Sequence, residues 1–170
     1  MDCRDCDPYL LTMGTAWIFP AAIVVTTVLA MELLAAGVHR FVMHGWGWRW
    51  HRSHHEPRSG VFEKNDLFGL IFAAASLILF ILGARWPLLW WIGFGMLAYG
   101  LLYALLHDGL VHRRLPMPKL PRNAYLKRLI QAHRLHHASH DRDGAVSFGF
   151  LYAPPVRRLR SELRARGALR

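Results

Sequence analysis

The stretch HRFVMHGWGWRWHRSHH, residues 39–55, ends the first long apolar run of the chain and holds two histidine spacings. His39 and His44 stand five residues apart, and His51, His54 and His55 form an HxxHH cluster. Both spacings recur in the same order: His107 and His112 in HDGLVH, then His133, His136 and His137 in HRLHH. Ten of the 11 histidines therefore belong to two copies of one pattern, and only His140 falls outside it. On an α-helix, positions i+3 and i+4 lie within about 60° of position i, so each HxxHH is expected to point three imidazoles at one place. A spacing of five turns the helix by about 140°, so such a pair cannot share an α-helical face. Either the helix ends between the two histidines or each serves a different metal. The glycines Gly37, Gly45 and Gly47 make termination plausible around the first pair.

Repeated imidazole spacing points to metal. Imidazole suits zinc, copper, iron and nickel. A structural zinc takes four ligands, commonly including thiolate, and ten histidines exceed that need. Two ions with about five nitrogen ligands each, and positions left open for oxygen, fit the count better. The only cysteines, Cys3 and Cys6, have no second pair to complete a zinc site and are read as incidental. Each metal-bound ring needs its other nitrogen oriented by a partner. Asp108, beside His107, and Glu56, beside His55, are the nearest carboxylates, with Asp66, Asp141 and Asp143 further along. Glu32 is a carboxylate inside an apolar run, costly there and a functional candidate. It can face the metals or bond a neighbouring helix.

Outward from the histidines the chain is apolar. Runs cover about Tyr9 to Phe41, Leu67 to Gly83 and Pro87 to Leu106, and the last two approach the roughly 20 residues that cross a bilayer. Ile71–Leu82 shows only Ser76 where a soluble bundle would need a polar stripe. Gly83 to Pro87 allows only a tight antiparallel turn. The expected fold is an all-α integral membrane protein with about three transmembrane helices and cytoplasmic helices carrying a histidine-rich dimetal site. A single domain covers residues 1–170, with an outer tail at 1–8 and a basic cytoplasmic tail at 156–170. The N-terminus lacks the basic region of a secretory signal. Arg113–Arg170 holds no fourth apolar run.

The composition is 54% hydrophobic with a net charge of +10, which membrane proteins reconcile by layering. Of the 21 Lys and Arg, all but Arg4 and Arg85 lie in 39–66 and 107–170, a strong positive-inside bias. The charge is thus read as topology, with no nucleic-acid partner. It puts the N-terminus outside, and every histidine at or beyond cytoplasmic helix ends. Trp46, Trp48 and Trp50 at one end, and Trp86, Trp90 and Trp91 at the other, suit interfacial belts. Gly93, Gly95, Ala98 and Gly100 are expected to let helices pack closely, or else to leave room for a ligand.

These residues resemble a known family. HRFVMHGWGWRWHRSHHEPRSGVFEKNDLFG, AYGLLYALLHDGLVHRR, YLKRLIQAHRLHH and VSFGFLYAPP, spanning about Met31 to Pro155, look like the signature segments of bacterial β-carotene 3-hydroxylases. HxxHH alone marks the wider superfamily of membrane fatty-acid hydroxylases, desaturases and ketolases. HDGLVH and VSFGFLYAPP are narrower, and Ala138–Ala145 matches least. The resemblance implies that His39, His44, His51, His54, His55, His107, His112, His133, His136 and His137 ligate two iron ions, which zinc can displace on purification. It implies O2 as cosubstrate, two electrons per hydroxylation, a ferredoxin-type donor, and a bilayer-dissolved carotenoid entering laterally between the spans. β-Carotene would pass through β-cryptoxanthin to zeaxanthin, with ketolated rings as further substrates. Rival classes are another histidine-rich membrane oxygenase and a metal transporter or sensor, the latter expected to hold its ligands at mid-membrane.

Overall fold

The computed structural model describes residues 16–57, 60, 62–116, 123–139 and 141–168. The regular structure among those residues is all helical, with no strand. Helix α1 (Ile18–Gly37) continues without a break into a π-helical segment, π1 (Val38–Trp46), and α2 (Trp48–His55) follows after Gly47. Next come α3 (Asp66–Gly83) and α4 (Pro87–Tyr103), which runs on into a second π segment, π2 (Ala104–Val111). Two shorter helices, α5 (Ala124–His136) and α6 (Val156–Ala165), complete the order.

Three helices are long and apolar enough to cross a membrane: Ile18–Trp46, Asp66–Gly83 and Pro87–Val111. Their lengths reach or exceed about 27 Å at 1.5 Å per residue, close to the hydrocarbon thickness. Large apolar side chains such as Phe19, Leu33 and Ile81 point outward along them, which suits lipid rather than water. The chain is therefore membrane-associated through these helices. Pro20 sits in the first turn of α1, where its missing N–H costs nothing.

Close approach fixes the spans against one another. A Cβ on Gly83 would lie 2.7 Å from Trp90, so the α3–α4 hairpin closes only over glycine. A Cβ on Gly95 would lie 2.4 Å from Thr27, and Gly93 faces the Ser76 carbonyl at 3.3 Å. The hydroxyl of Ser76 donates to the Gly93 carbonyl at 3.0 Å, which satisfies the polar group of α3 inside the bundle. Gly93 and Gly95 thus serve packing, whereas Gly100 meets nothing within 4 Å and opens onto a groove.

Outside the spans, Asn123 caps α5 by accepting from the N–H groups of Tyr125 and Leu126. Leu159 and Leu163, one turn apart on α6, bury completely against Leu129 and Ala132 of α5 and against Val146 and Ala153. This small core holds α5, and its histidines, against the ends of the spans.

Candidate metal centre

The two π segments decide how the histidines meet. A π turn closes its hydrogen bond over five residues instead of four. The Gly47 N–H donates to the Val42 carbonyl at 2.8 Å, and the His112 N–H donates to the His107 carbonyl at 2.9 Å. Residues five apart therefore come onto one side. The reading of the HxxxxH pairs as divided by a helix end or between two metals is corrected here. His39 and His44 serve one group, and His107 and His112 serve another.

The HxxHH clusters also behave differently from expectation. Each is divided instead of pointing three rings at one place. His39, His44, His51 and His136 offer ring nitrogens within 4.8 Å of one another, as do His54, His107, His112 and His133. His55 joins the first group, its Nε2 3.2 Å from that of His51. His137 joins the second, with Nε2 2.9 Å from that of His133. In each cluster, positions i and i+4 share a group while i+3 crosses to the other. That follows from α-helical geometry, because i+3 and i+4 fall on opposite sides of i. The two groups adjoin, with the His55 and His137 rings stacked at 4.3 Å between centroids. The ten pattern histidines thus form two sets of five, and His140 lies outside the described residues.

The proton positions make these sets chemically specific. The Nδ1 of His39 donates to the Phe148 carbonyl at 2.9 Å, that of His44 to Arg142 at 2.7 Å, that of His55 to Ser139 at 3.1 Å and that of His136 to Val146 at 3.0 Å. His51 donates to Asn65 Oδ1 at 2.7 Å, His54 to Glu63 Oε2 at 3.0 Å and His107 to Asp108 Oδ1 at 2.9 Å. A carbonyl or carboxylate can only accept, so each Nδ1 holds the proton and each Nε2 turns a lone pair inward. Yet the Nε2 atoms of His39 and His51, of His44 and His136, and of His54 and His107 approach to 3.0–3.1 Å. Lone pairs facing at that distance repel unless a cation lies among them. Two imidazole nitrogens bound at about 2.1 Å to one ion and 90° apart would lie about 3.0 Å from each other. The donor sets therefore fit metal binding. Burial holds the rings in the neutral, ligating form: it pushes His51 down to about 3 and His137 down to about 2.

The carboxylates sort out differently from expectation. Asp108 does reach the His107 ring. Glu56 does not orient His55; it pairs with Arg52 at 2.7 Å on the exposed side of α2, as i,i+4 neighbours do. Asp66 binds Arg114 through two bonds of 2.6 and 2.7 Å, tying the start of α3 to the end of π2. Asp141 and Asp143 offer backbone carbonyls that accept from Ser139 Oγ, and the Asp143 carboxylate lies 3.5 Å from the Arg142 guanidinium. Glu63 and Asn65, which accept from His54 and His51, carry no sequence signal that pairs them with those rings. Trp48, expected at an interface, lies instead against His44, His51 and His55, all of the first group.

An apolar groove of about 650 Å³ opens between α1, α3 and α4 and runs down to Tyr103, Asp108 and Phe150. Met31, Phe72, Ala73 and Met96 line it nearer the mid-membrane. At its inner end Tyr103 stacks on His107 at 4.4 Å, while Phe150 lies parallel to His39 at 5.3 Å and edge-on to His107 at the same distance. Phe150 thus touches both histidine groups and the groove.

Helical spans that end on two adjoining imidazole clusters make a histidine-rich membrane metal site. Residues 24–154 match the fatty acid hydroxylase family, and the chain belongs to that family. Within it, the chain is 58% identical to "Beta-carotene hydroxylase" of Pantoea ananas, over 91% of this chain and 89% of that protein. It is also 58% identical to "Beta-carotene hydroxylase" of Pseudescherichia vulneris, over 85% and 82%. It is 38% identical to "Beta-carotene 3-hydroxylase, chloroplastic" of Haematococcus lacustris, over 78% of this chain and 42% of that protein. These relatives set it among the bacterial β-carotene hydroxylases. No solved structure matches the chain.

Proposed function

We propose that this chain hydroxylates carbon 3 of β-ionone rings, converting β-carotene through β-cryptoxanthin to zeaxanthin, with ketolated rings as further substrates. One observation carries the reading: the apolar groove between the spans ends on aromatic rings that lie against both histidine groups. A transporter would need its ligands along a path through the membrane, whereas these ligands gather where an apolar groove stops.

His39, His44, His51, His55 and His136 would hold one iron, and His54, His107, His112, His133 and His137 the other. Bound there, the ions supply the activation of O2 that breaking an unactivated C–H bond demands. Each turnover takes one O2, two electrons and two protons, and returns the alcohol and one water. The protein's own part is orientation and exclusion. Glu63, Asp108, Asn65 and four backbone carbonyls fix the rings by their Nδ1 protons. Tyr103 and Phe150 close the groove against water and give the substrate ring a flat apolar stop. The whole of residues 1–170 acts as one domain with histidines on the cytoplasmic side, where a ferredoxin-type donor delivers electrons.

Expression in a β-carotene-producing bacterium tests the reading through the pigments. Zeaxanthin should accumulate with the native chain, and His54→Ala or His136→Ala should abolish it. A host that keeps only β-carotene, or makes ketones or hydroxylated fatty acids instead, would sink the proposal.

A further inference from the structure

Glu32 is a carboxylate within the first span that bonds to no histidine among the described residues. Its Oε1 accepts from three consecutive backbone N–H groups, those of Phe150, Leu151 and Tyr152, at 2.9, 3.0 and 3.0 Å. Its Oε2 accepts from the Tyr99 hydroxyl of α4 at 2.9 Å. Four donors on one carboxylate satisfy a charge that the apolar layer would otherwise penalise. The cradle is built for it. A Cβ on Gly149 would lie 2.6 Å from Oε1, so only glycine lets the carboxylate reach the backbone there.

The segment it holds is the one that orients the first histidine group. The carbonyls of Val146 and Phe148 accept from His136 and His39, and the Phe150 ring lies on His39. Between them Ser147 takes a φ of 60°, an uncommon left-handed conformation for a residue with a side chain. Such a conformation persists only when its surroundings impose it. Glu32 supplies that constraint from one side, and Tyr125 of α5, whose hydroxyl donates to the Leu151 carbonyl, supplies it from another. The second group draws its orientation from Glu63 and Asp108, and it meets this segment at the Phe150 ring, which lies edge-on to His107.

We infer that Glu32 is a positioning residue for the first histidine group, acting through the carbonyls of the 146–152 segment. The inference rests on the reading that each group holds one ion. Iron per chain, measured by elemental analysis on protein purified from iron-supplemented membranes, tests it. The native chain should carry about two ions, and Glu32→Ala about one. Glu32→Gln keeps an oxygen that accepts from the three N–H groups and should restore about two. Gly149→Ala, whose Cβ would crowd both the carboxylate at 2.6 Å and the Tyr152 carbonyl at 2.8 Å, should disturb the same segment and likewise lower iron towards one per chain. Adding Glu32→Ala to His136→Ala should change the iron content little, whereas adding it to His54→Ala should remove the remaining ion, because only the second pair lies in different groups. Retention of both ions in Glu32→Ala, or their loss in equal measure, overturns the inference. A native chain with fewer than two ions overturns instead the two-ion reading beneath it.

Discussion

The two histidine groups use the same residue type and nearly the same spacing, yet they are supported differently. The first group leans on backbone carbonyls from Ser139, Arg142, Val146 and Phe148, with the Asn65 side chain beside them. The second leans on two carboxylates, Glu63 and Asp108. A carboxylate on Nδ1 makes an imidazole a more basic ligand than a neutral amide or carbonyl does. The second ion would therefore sit among the stronger electron donors, and the first would depend on how well a loop keeps its shape. The difference lies in mechanics as much as in charge: two side chains can be deleted singly, but a row of carbonyls moves together.

That contrast can be broken experimentally, beginning where the effect is largest. Glu63→Ala strips a carboxylate from His54 and should lower hydroxylation about 100-fold, with iron falling towards one per chain. Asn65→Ala removes a neutral partner from His51, whose four companions keep their carbonyls, so the loss should be nearer 10-fold. Equal losses in the two variants would show that carboxylate and amide partners are interchangeable. Trp48→Ala exposes three rings of the first group and should quicken release of one ion to a chelator, with activity down only about 3-fold. Biphasic release becoming faster in both phases would contradict a lid confined to one group. Replacing Arg157, Arg158 and Arg160 by Gln touches neither group and should raise KM for reduced ferredoxin about 2-fold, with kcat unchanged. An unchanged KM would assign those cations to lipid.

Much of this was legible beforehand, for reasons that differ by region. The spans were readable because hydrocarbon demands long apolar runs, and Asp66–Gly83 and Pro87–Val111 begin within a residue of where those runs do. The ten histidines were readable because ligand spacing repeats. Their division into groups was not, because it turns on the π geometry of Val38–Trp46 and Ala104–Val111, and a five-residue spacing looks unusable if only α-helices are considered. Backbone partners left no trace, since any residue at 139, 142, 146 or 148 carries the same carbonyl. Glu63 lies nine residues from His54 and Asn65 fourteen from His51, too far for adjacency to suggest them. Glu56 misled because adjacency in sequence points successive side chains apart on a helix. Glu32 stood out as an intramembrane charge, but its true partners, three amides more than a hundred residues away, could only come from the fold.

The π segments also gear the membrane spans to the metal site. Were the residues from His39 to His44 wound as an α-helix instead, those two rings would stand about 140° apart. Everything N-terminal to them would then turn by about 100° relative to His44. Leu33, now outward, would rotate away from lipid, and Glu32 would swing off the amides that receive it. The same rewinding between His107 and His112 would shift the phase of Tyr99 and Tyr103 against the groove. The π turn in each helix is thus a phase setting: it fixes which side of a span meets lipid and which side meets substrate, while the ligands at its end stay in register.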